Sequence, residues 1–174
     1  MELVPDDVNT ALEWVTDITC DLQAWQWTDA PLDKWSPRRT LDHLVDALLL
    51  YSAYVATRAT DRITPPRNGD TGATPAELLS SLRSSGSILV ALLRAMPDDA
   101  RAFHPSGHAD RTGWIGMACT ELLVHGFDIT TTTAQSGLTP PDDRLARAVV
   151  ERVLPWTPRE ATGWSQLLWA TGRA

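Results

Sequence analysis

Residues 116–132 of this 174-residue chain read GMACTELLVHGFDITTT, and this stretch decides the fold. Most of its side chains are apolar or small, which is the pattern of a helix inside a bundle. Glu121, His125 and Asp128 interrupt that pattern at positions i, i+4 and i+7, so a helix places all three on one face. A buried ionised carboxylate is costly unless it is paired or bound to a metal. The stretch therefore predicts a core helix that carries a polar site.

The rest of the chain reads as helices separated by proline and glycine, without a convincing alternating strand pattern. The fourth helix, from about Thr112 to Thr132, contains the polar site. The second, third and fifth helices are predicted to end near Thr60, at Pro97 and near Pro155. Four long helices and two short ones predict an all-α fold, a four-helix bundle with additional C-terminal helices and a single domain over residues 1–174. Capping residues and prolines place the other five helix starts at Pro5, Ser36, Thr74, Pro140 and Thr157.

Charge and composition exclude several classes of partner. The net charge of −7 and the pI of about 4.9 argue against nucleic acid and against anionic membrane surfaces. No run of residues is expected to span a membrane, and the start, MELVPDDVNT, lacks the pattern of a signal peptide. Two cysteines are too few for a disulfide framework, so a cytoplasmic location is predicted. A single lysine among many arginines indicates a GC-rich, actinobacterial source.

The predicted second helix supplies a partner for Glu121 and His125. On it, His43 leads a second stripe, in which the small Ala47 leaves room above the imidazole and Tyr54 is a candidate pocket residue. Two histidines and one glutamate from facing helices would leave coordination positions open, as in a catalytic metal site. From the residues alone, a hydrogen-bonded core histidine and a surface Glu–His ion pair remain alternatives.

Further residues are candidates for supporting roles. Asp128 either orients a ligand, contacts an arginine or solvates one side of its helix. Met117, one turn before Glu121, is expected to line the pocket. Gly126 costs about 1 kcal/mol of helix propensity, so a packing reason is expected for it. Arg38 and Arg39 are candidate contacts for an anionic substrate or cofactor, and a solvated helix end is the alternative. His104 and His108 are candidate acid–base groups at the mouth of the site, and exposure on a loop is the alternative.

Two segments of the chain carry a resemblance to a known family. The segment from Trp35-Ser36-Pro37 to His43-Leu44 and the segment ELLVHGFD at 121–128 are similar to the two signature segments of the mycothiol-dependent maleylpyruvate isomerase N-terminal domain family. This family belongs to the DinB-like helical bundles. The tail WSQLLWATGR at 164–173 is similar to a C-terminal segment of many members, so the resemblance extends over nearly the whole chain.

The resemblance implies a divalent metal held by His43, Glu121 and His125. Zinc is the first expectation, and Ni²⁺, Fe²⁺ and Mn²⁺ are alternatives for the same ligands. It also implies mycothiol as a thiol cosubstrate and a metal-dependent S-transferase as the activity. The enzyme would activate the thiolate of mycothiol for attack on a small electrophile. Many wider DinB relatives use three histidines, so Glu121 places the chain on the mycothiol-linked side. The isomerases carry a second, C-terminal domain that is not expected here, so their own reaction is not expected.

Two other functions remain open at this stage. One is a different metal-dependent enzyme on the same fold, such as a hydrolase that uses metal-bound water. The other is a non-enzymatic bundle that binds a metal or a small molecule. Dependence on thiol separates the S-transferase from another metal-dependent enzyme. Turnover separates both enzymes from a binding bundle. The expected partners are a small-molecule thiol and an electrophile, and the expected assembly is a monomer or a homodimer.

Overall fold

The computed structural model describes residues 2–30, 34–64, 72–133, 141–158 and 162–173. Helices dominate it, so the all-α prediction is confirmed, with one small hairpin as an addition. In chain order the elements are α1 (Pro5–Cys20), α2 (Pro37–Thr57), α3 (Pro75–Ala95), β1 (Ala102–His104), β2 (Gly107–Ala109), α4 (Arg111–Thr132), α5 (Asp143–Val153) and α6 (Gly163–Ala170).

The first four helices form the predicted bundle. Helix α1 packs against α3 and α4, and α2 packs against the same two helices. Helix α5 then packs on α4, and α6 contacts both α4 and α5. The apolar faces meet in one core, whose removal from water is the main force that holds the helices together. The largest fully buried side chains are Trp114, Leu41, Leu44, Leu48, Leu82, Leu89, Leu93, Ile115, Leu122, Leu123, Ile129 and Leu167.

Local capping explains why the early helix starts were predictable. The Ser36 hydroxyl accepts a hydrogen bond from the Arg39 backbone N–H at 3.3 Å. The Thr74 backbone N–H donates to the Glu77 carboxylate at 2.7 Å, and the Thr74 hydroxyl accepts from the Glu77 backbone N–H at 3.3 Å. Each cap satisfies N–H groups that the first helical turn leaves without partners. The predicted starts at Ser36 and Thr74 are therefore confirmed.

The end of α2 lies before the predicted position near Thr60. Arg58 adopts a left-handed conformation with φ of 47°, and its backbone N–H bonds the carbonyls of Tyr54 and Val55. This C-terminal cap closes the helix at Thr57, because the left-handed residue turns the chain away from the helix axis.

The predicted sixth helix is present, but its predicted start at Thr157 is wrong. The Thr157 hydroxyl donates to the Leu154 carbonyl at 2.8 Å, so Thr157 belongs to the turn that follows α5. Thr162 caps α6 instead, because its hydroxyl accepts from the Ser165 backbone N–H at 3.2 Å. Helix α5 starts at Asp143 after the cap Asp142. Two parts of these predictions, Pro140 and the pair Arg159-Glu160, lie outside the described residues.

A β-hairpin occupies the segment that was expected to be a loop. Strands β1 and β2 pair antiparallel, with Phe103 opposite His108. Gly107 has φ of 127°, a conformation that glycine adopts without the cost of a Cβ atom. The Phe103 backbone N–H donates to the Ala59 carbonyl at 2.7 Å and ties the hairpin to the end of α2. The hairpin therefore holds His104 and His108 beside the bundle.

Helix α3 corrects the expectation that no run resembles a membrane span. An 18-residue window within its 21 residues has a mean hydropathy of 1.3, so by length and composition alone this helix could cross a membrane. In the bundle, its residues Leu78, Leu82, Leu89 and Leu93 are buried. Helix α3 packs against α1 and α2, and a core helix needs an apolar face of this kind for such packing.

Gly126 has the packing role that its helix cost predicted. A Cβ atom added at Gly126 would lie 2.2 Å from Cζ3 of Trp14. The indole of Trp14 on α1 therefore lies directly on the α4 backbone, where no other residue leaves room for it. This contact fixes α4 against α1 one residue after His125.

Candidate metal centre

Three side chains from two helices converge at one point of the bundle. His43 comes from α2, and Glu121 and His125 lie one turn apart on α4. The Nε2 atom of His43 is 3.2 Å from Oε2 of Glu121, and Nε2 of His125 is 3.4 Å from the same oxygen. One ligand atom from each residue lies within 4.8 Å of the other two. The structure thus brings together the three residues that were expected to bind a metal.

The donor set and its spacing fit a divalent cation. Zinc binds imidazole nitrogen and carboxylate oxygen at about 2.0–2.2 Å, so two ligands at tetrahedral angles lie about 3.3–3.6 Å apart. The separations of 3.2 and 3.4 Å between these side chains are close to that value before any cation is considered. The side chains are 16–30% exposed, which leaves room for further ligands from a pocket.

Tyr51 holds the carboxylate of Glu121 from the core side. Its hydroxyl donates to Oε1 of Glu121 at 3.0 Å, while Oε2 faces the two histidines. Burial raises the pKa of Tyr51, and the charge of Glu121 raises it further, so Tyr51 stays a donor. Burial also raises the pKa of Glu121, but hydrogen bonds from His125 and His43 outweigh it and hold this pKa well below its usual range. Glu121 is therefore ionised and fixed in direction.

Asp128 and Arg173 hold His125 from the other side. Nδ1 of His125 is 3.0 Å from Oδ2 of Asp128. Arg173 donates to both Asp128 oxygens, from Nε at 3.1 Å and from Nη2 at 2.8 Å. This bidentate geometry is the strong form of an arginine–carboxylate pair. Asp128 therefore contacts an arginine and orients His125 at once.

The charges around His125 favour a positive charge beside its ring. Burial lowers the pKa of His125, but the hydrogen bonds to Asp128 and Glu121 outweigh burial and raise it to about 9. Burial raises the pKa of Asp128, but His125 and Arg173 lower it to about 2. Two ionised carboxylates thus face one imidazole. The proton between this ring and Glu121 supplies a positive charge where a metal ion would supply it.

Trp35 covers the two histidines. Its ring centroid is 5.9 Å from that of His125 in a stacked arrangement and 5.1 Å from that of His43 in an edge arrangement. The guanidinium of Arg39 lies over the Trp35 ring at 4.9 Å. Arg39 thus contacts the indole that covers the two histidines, and this indole limits how the imidazoles turn.

Two pockets reach the cluster from different sides. We call the first, of about 450 Å³, the cleft; it contains Glu121 and Tyr51. We call the second, of about 340 Å³, the polar pocket; it contains His125 and Asp128. The cleft is further lined by His104, Ser106, His108, Met117, Thr120, Arg152 and the segment Val153–Trp156, among others. The polar pocket is further lined by Lys34, Trp35, Thr40, Thr132 and Arg173.

The structure places the other candidate residues in two groups. Met117, His104 and His108 line the cleft. Tyr54 and Arg38 do not line either of these pockets. Tyr54 is buried, and its hydroxyl bonds the backbone N–H and carbonyl of Ile63 at 3.2 and 3.3 Å. It shares the helix face of His43 but lies about 16 Å further along the axis, since each helical residue rises about 1.5 Å.

Arg38 has contacts that serve the fold. Its guanidinium donates to the Ala73 carbonyl, and its backbone N–H donates to the Trp27 carbonyl at 3.1 Å. Arg38 therefore ties the start of α2 to the segments before α2 and before α3. The expected contact between Arg38 and an anionic ligand has no support in this arrangement.

Sequence reasoning missed the roles of Tyr51, Trp35 and Arg173. Tyr51 was given no role in the site, although a buried tyrosine hydroxyl needs a partner and so gives a signal. Trp35 stood in a signature segment without a role of its own. Arg173 meets Asp128 across 45 positions of sequence, and no local pattern indicates such a contact.

The fold and the three converging side chains define a helical-bundle protein with a candidate metal site. The sequence profile of the mycothiol maleylpyruvate isomerase N-terminal domain matches residues 10–130. Because this match covers more than half of the chain, the protein belongs to that family. No curated protein and no solved structure matches the chain significantly. The candidate ligands lie within the matched range, whereas Trp156 and Arg173 lie beyond it.

Proposed function

We propose that this protein is a divalent-metal-dependent S-transferase that joins mycothiol to a small electrophile. One observation carries the proposal: His43, Glu121 and His125 present ligand atoms within 4.8 Å of one another, in a chain of a mycothiol-linked family. Zinc is the preferred cation, because it accepts nitrogen, oxygen and sulfur ligands and needs no change of oxidation state.

His43, Glu121 and His125 would hold the cation. When bound there, the cation would lower the pKa of a coordinated thiol, which would supply a thiolate nucleophile near neutral pH. The protein's own groups fix the ligands. Tyr51 orients Glu121 by its hydrogen bond of 3.0 Å. Asp128 accepts from Nδ1–H of His125, which leaves Nε2 of the neutral ring as the ligand atom.

The polar pocket suits the thiol cosubstrate. Mycothiol is a sugar-containing thiol, and this pocket offers Lys34, Arg173 and Thr132 as polar groups beside the ring of Trp35. Aromatic rings bind the apolar faces of sugars while the polar groups bind their hydroxyls. In the overall reaction, the sulfur forms one bond to carbon. The thiol proton leaves with the departing group, or it joins the atom that receives the electron pair when an epoxide or a polarised double bond opens.

Metal analysis and thiol consumption test the proposal together. Protein purified without a metal-affinity tag should contain about one equivalent of a divalent metal, since three protein ligands define one site. The variants His43→Ala and Glu121→Ala should lose the metal and keep the helical circular dichroism spectrum. With mycothiol and a panel of electrophiles, the metal-loaded protein should form S-conjugates that mass spectrometry detects.

A matched control is Glu13→Gln, because Glu13 is an exposed glutamate on α1 that does not belong to the cluster and lines a different pocket. This variant should keep both the metal and the conjugating activity. The proposal fails if the protein binds no metal after reconstitution with zinc, nickel and iron. It also fails if turnover of a substrate proceeds equally well without any thiol, which would instead favour a hydrolase.

A further inference from the structure

We propose that the cleft binds an uncharged, largely apolar molecule that carries a hydrogen-bond-accepting oxygen. The inference rests on the proposed function in one respect: under that function, this molecule is the electrophile. The family match ends at residue 130, so the wall formed by Val153–Trp156 lies outside it.

The position of the cleft suits a second substrate. The cleft contains Glu121 and Tyr51, whereas the polar pocket contains His125 and Asp128. A molecule in the cleft would therefore approach the cluster from the Glu121 side. The polar pocket would stay available to the thiol cosubstrate at the same time. The volume of about 450 Å³ lies within the range of pockets that bind small organic molecules.

One wall of the cleft is apolar. Met117 contributes from α4, and the segment Val153–Trp156, which begins at the last residue of α5, contributes four successive apolar residues. Trp156 is 69% exposed, although an indole is among the largest apolar groups in the chain. A ligand that covers this indole would remove a large apolar surface from water, which favours binding of a flat, apolar molecule.

The charges in the cleft do not favour an anion. Among the described residues that line it, Arg152 is the one permanently charged cation. Its guanidinium is already engaged, because it forms an ion pair with Asp110 and its Nε donates to the Thr112 hydroxyl at 2.8 Å. Glu121 adds a negative charge at the inner end of the cleft. An anionic ligand would find no unengaged cation among these side chains.

His104 supplies the polar contact. Its Nδ1 accepts a hydrogen bond from the Ser106 backbone N–H at 3.2 Å, so the proton of the neutral ring lies on Nε2. Burial lowers the pKa of His104 against the smaller opposing effect of Glu121, which is consistent with a neutral ring. A neutral imidazole with a proton on Nε2 is a donor. It therefore selects an acceptor such as a carbonyl, nitro or epoxide oxygen.

Calorimetric titration with two matched probes tests the inference. The purified protein, without thiol, is titrated with 1,3-dinitrobenzene and with 3-nitrobenzenesulfonate, in which a charged group replaces one nitro group. Uncharged dinitrobenzene should bind at least about tenfold more tightly than the sulfonate, because a charge without a partner costs more than a kilocalorie on burial.

Variants assign the binding to the cleft. Trp156→Ala should raise the Kd for dinitrobenzene about fivefold to tenfold, because an aromatic contact is lost. His104→Phe keeps a ring but loses the donor, and should raise the Kd about threefold to tenfold. Trp25→Ala is the matched control, since Trp25 is 65% exposed and does not line the cleft. This control should leave the Kd unchanged.

The inference is overturned if both probes bind equally or if Trp156→Ala behaves like Trp25→Ala. A parallel conjugation assay with 1-chloro-2,4-dinitrobenzene and mycothiol separates this outcome from failure of the transferase. Probe binding in the cleft without conjugation of any electrophile supports the cleft assignment and refutes the S-transferase. Conjugation of electrophiles without probe binding in the cleft supports the transferase and overturns the inference.

Discussion

The two sides of the candidate metal centre are built in different ways. On one side, Tyr51, which is 8% exposed, reaches Glu121 from the bundle core with a neutral hydroxyl. On the other side, Asp128 and Arg173 reach His125 with a charged pair whose side chains are 30% and 28% exposed. The first side lies wholly within the family match, and the second depends on Arg173, which lies beyond it.

The two sides therefore differ in how rigidly they hold their ligand and in how far salt affects them. A hydrogen bond from a buried, neutral hydroxyl is little affected by salt, and the packing of α2 against α4 fixes it. A partly exposed ion pair is screened by salt, because its field passes through water. We infer that the bundle sets the direction of the carboxylate, while the C-terminal arginine tunes the histidine.

The largest expected effect comes from Glu121, which joins both sides. In Glu121→Gln the amide keeps the size but loses the charge, so zinc affinity should fall about 100-fold or more, beyond the loss typical of an outer partner. Competition with a colorimetric zinc chelator measures this change, with Glu13→Gln as the control. Unchanged affinity would show that the two sides do not share one cation.

The next effect is the response of the wild-type centre to pH. A metal binds only the neutral ring of His125, and the pKa of this ring is raised to about 9, so the ring is protonated below that pH. Zinc affinity should therefore rise about tenfold per pH unit up to about pH 9 and then level off. The same chelator competition at several pH values gives the slope. A flat profile between pH 6 and 8 would contradict a His125 ligand with a raised pKa.

Loss of the hydrogen bond from the Tyr51 hydroxyl tests the core side alone. Tyr51→Phe keeps the packing of the ring but frees Glu121 to turn, and should weaken zinc binding about tenfold. The loss should be the same at low and high salt. Tyr54→Phe is the matched control and should leave zinc affinity unaltered, because the Tyr54 hydroxyl bonds the backbone of Ile63, away from Glu121. Equal losses in both variants would assign them to general loosening of the bundle.

The smallest expected effect comes from the charged side. Arg173→Met should weaken zinc binding about threefold at low salt, because Asp128 then holds His125 less firmly. The difference from wild type should vanish near 1 M salt, where the Debye length is about 3 Å. Arg144→Met, which removes an exposed cation paired with Asp142, is the control. An effect independent of salt would contradict the division between the two sides.

Much of the fold followed from local sequence signals. Ser36 and Thr74 cap their helices because nearby backbone N–H groups lack other partners, so the residues themselves carry the information. Thr157 offered the same local pattern and misled, since its hydroxyl bonds backward to Leu154. The hairpin could not be foreseen, because strands of three residues are too short to show alternation.

The site was predictable where helical spacing governs it. Glu121 and His125 share a face because they are one turn apart, and His43 meets them because the bundle brings α2 against α4. Tyr54 was chosen for its angle around the helix, which ignores its distance along the axis. Arg173 was missed because its partner is fixed by the packing of α6 on the bundle, and only the folded chain shows that packing.

The stacking of Trp35 over His125 and beside His43 gives the centre an optical reporter of its own. Indole emission depends on contacts with neighbouring charges and is quenched by paramagnetic ions. Binding of Ni²⁺ should therefore dim one of the eight tryptophans selectively, and Trp35→Phe should remove that response. Occupancy of the centre thus becomes visible in real time without any added label.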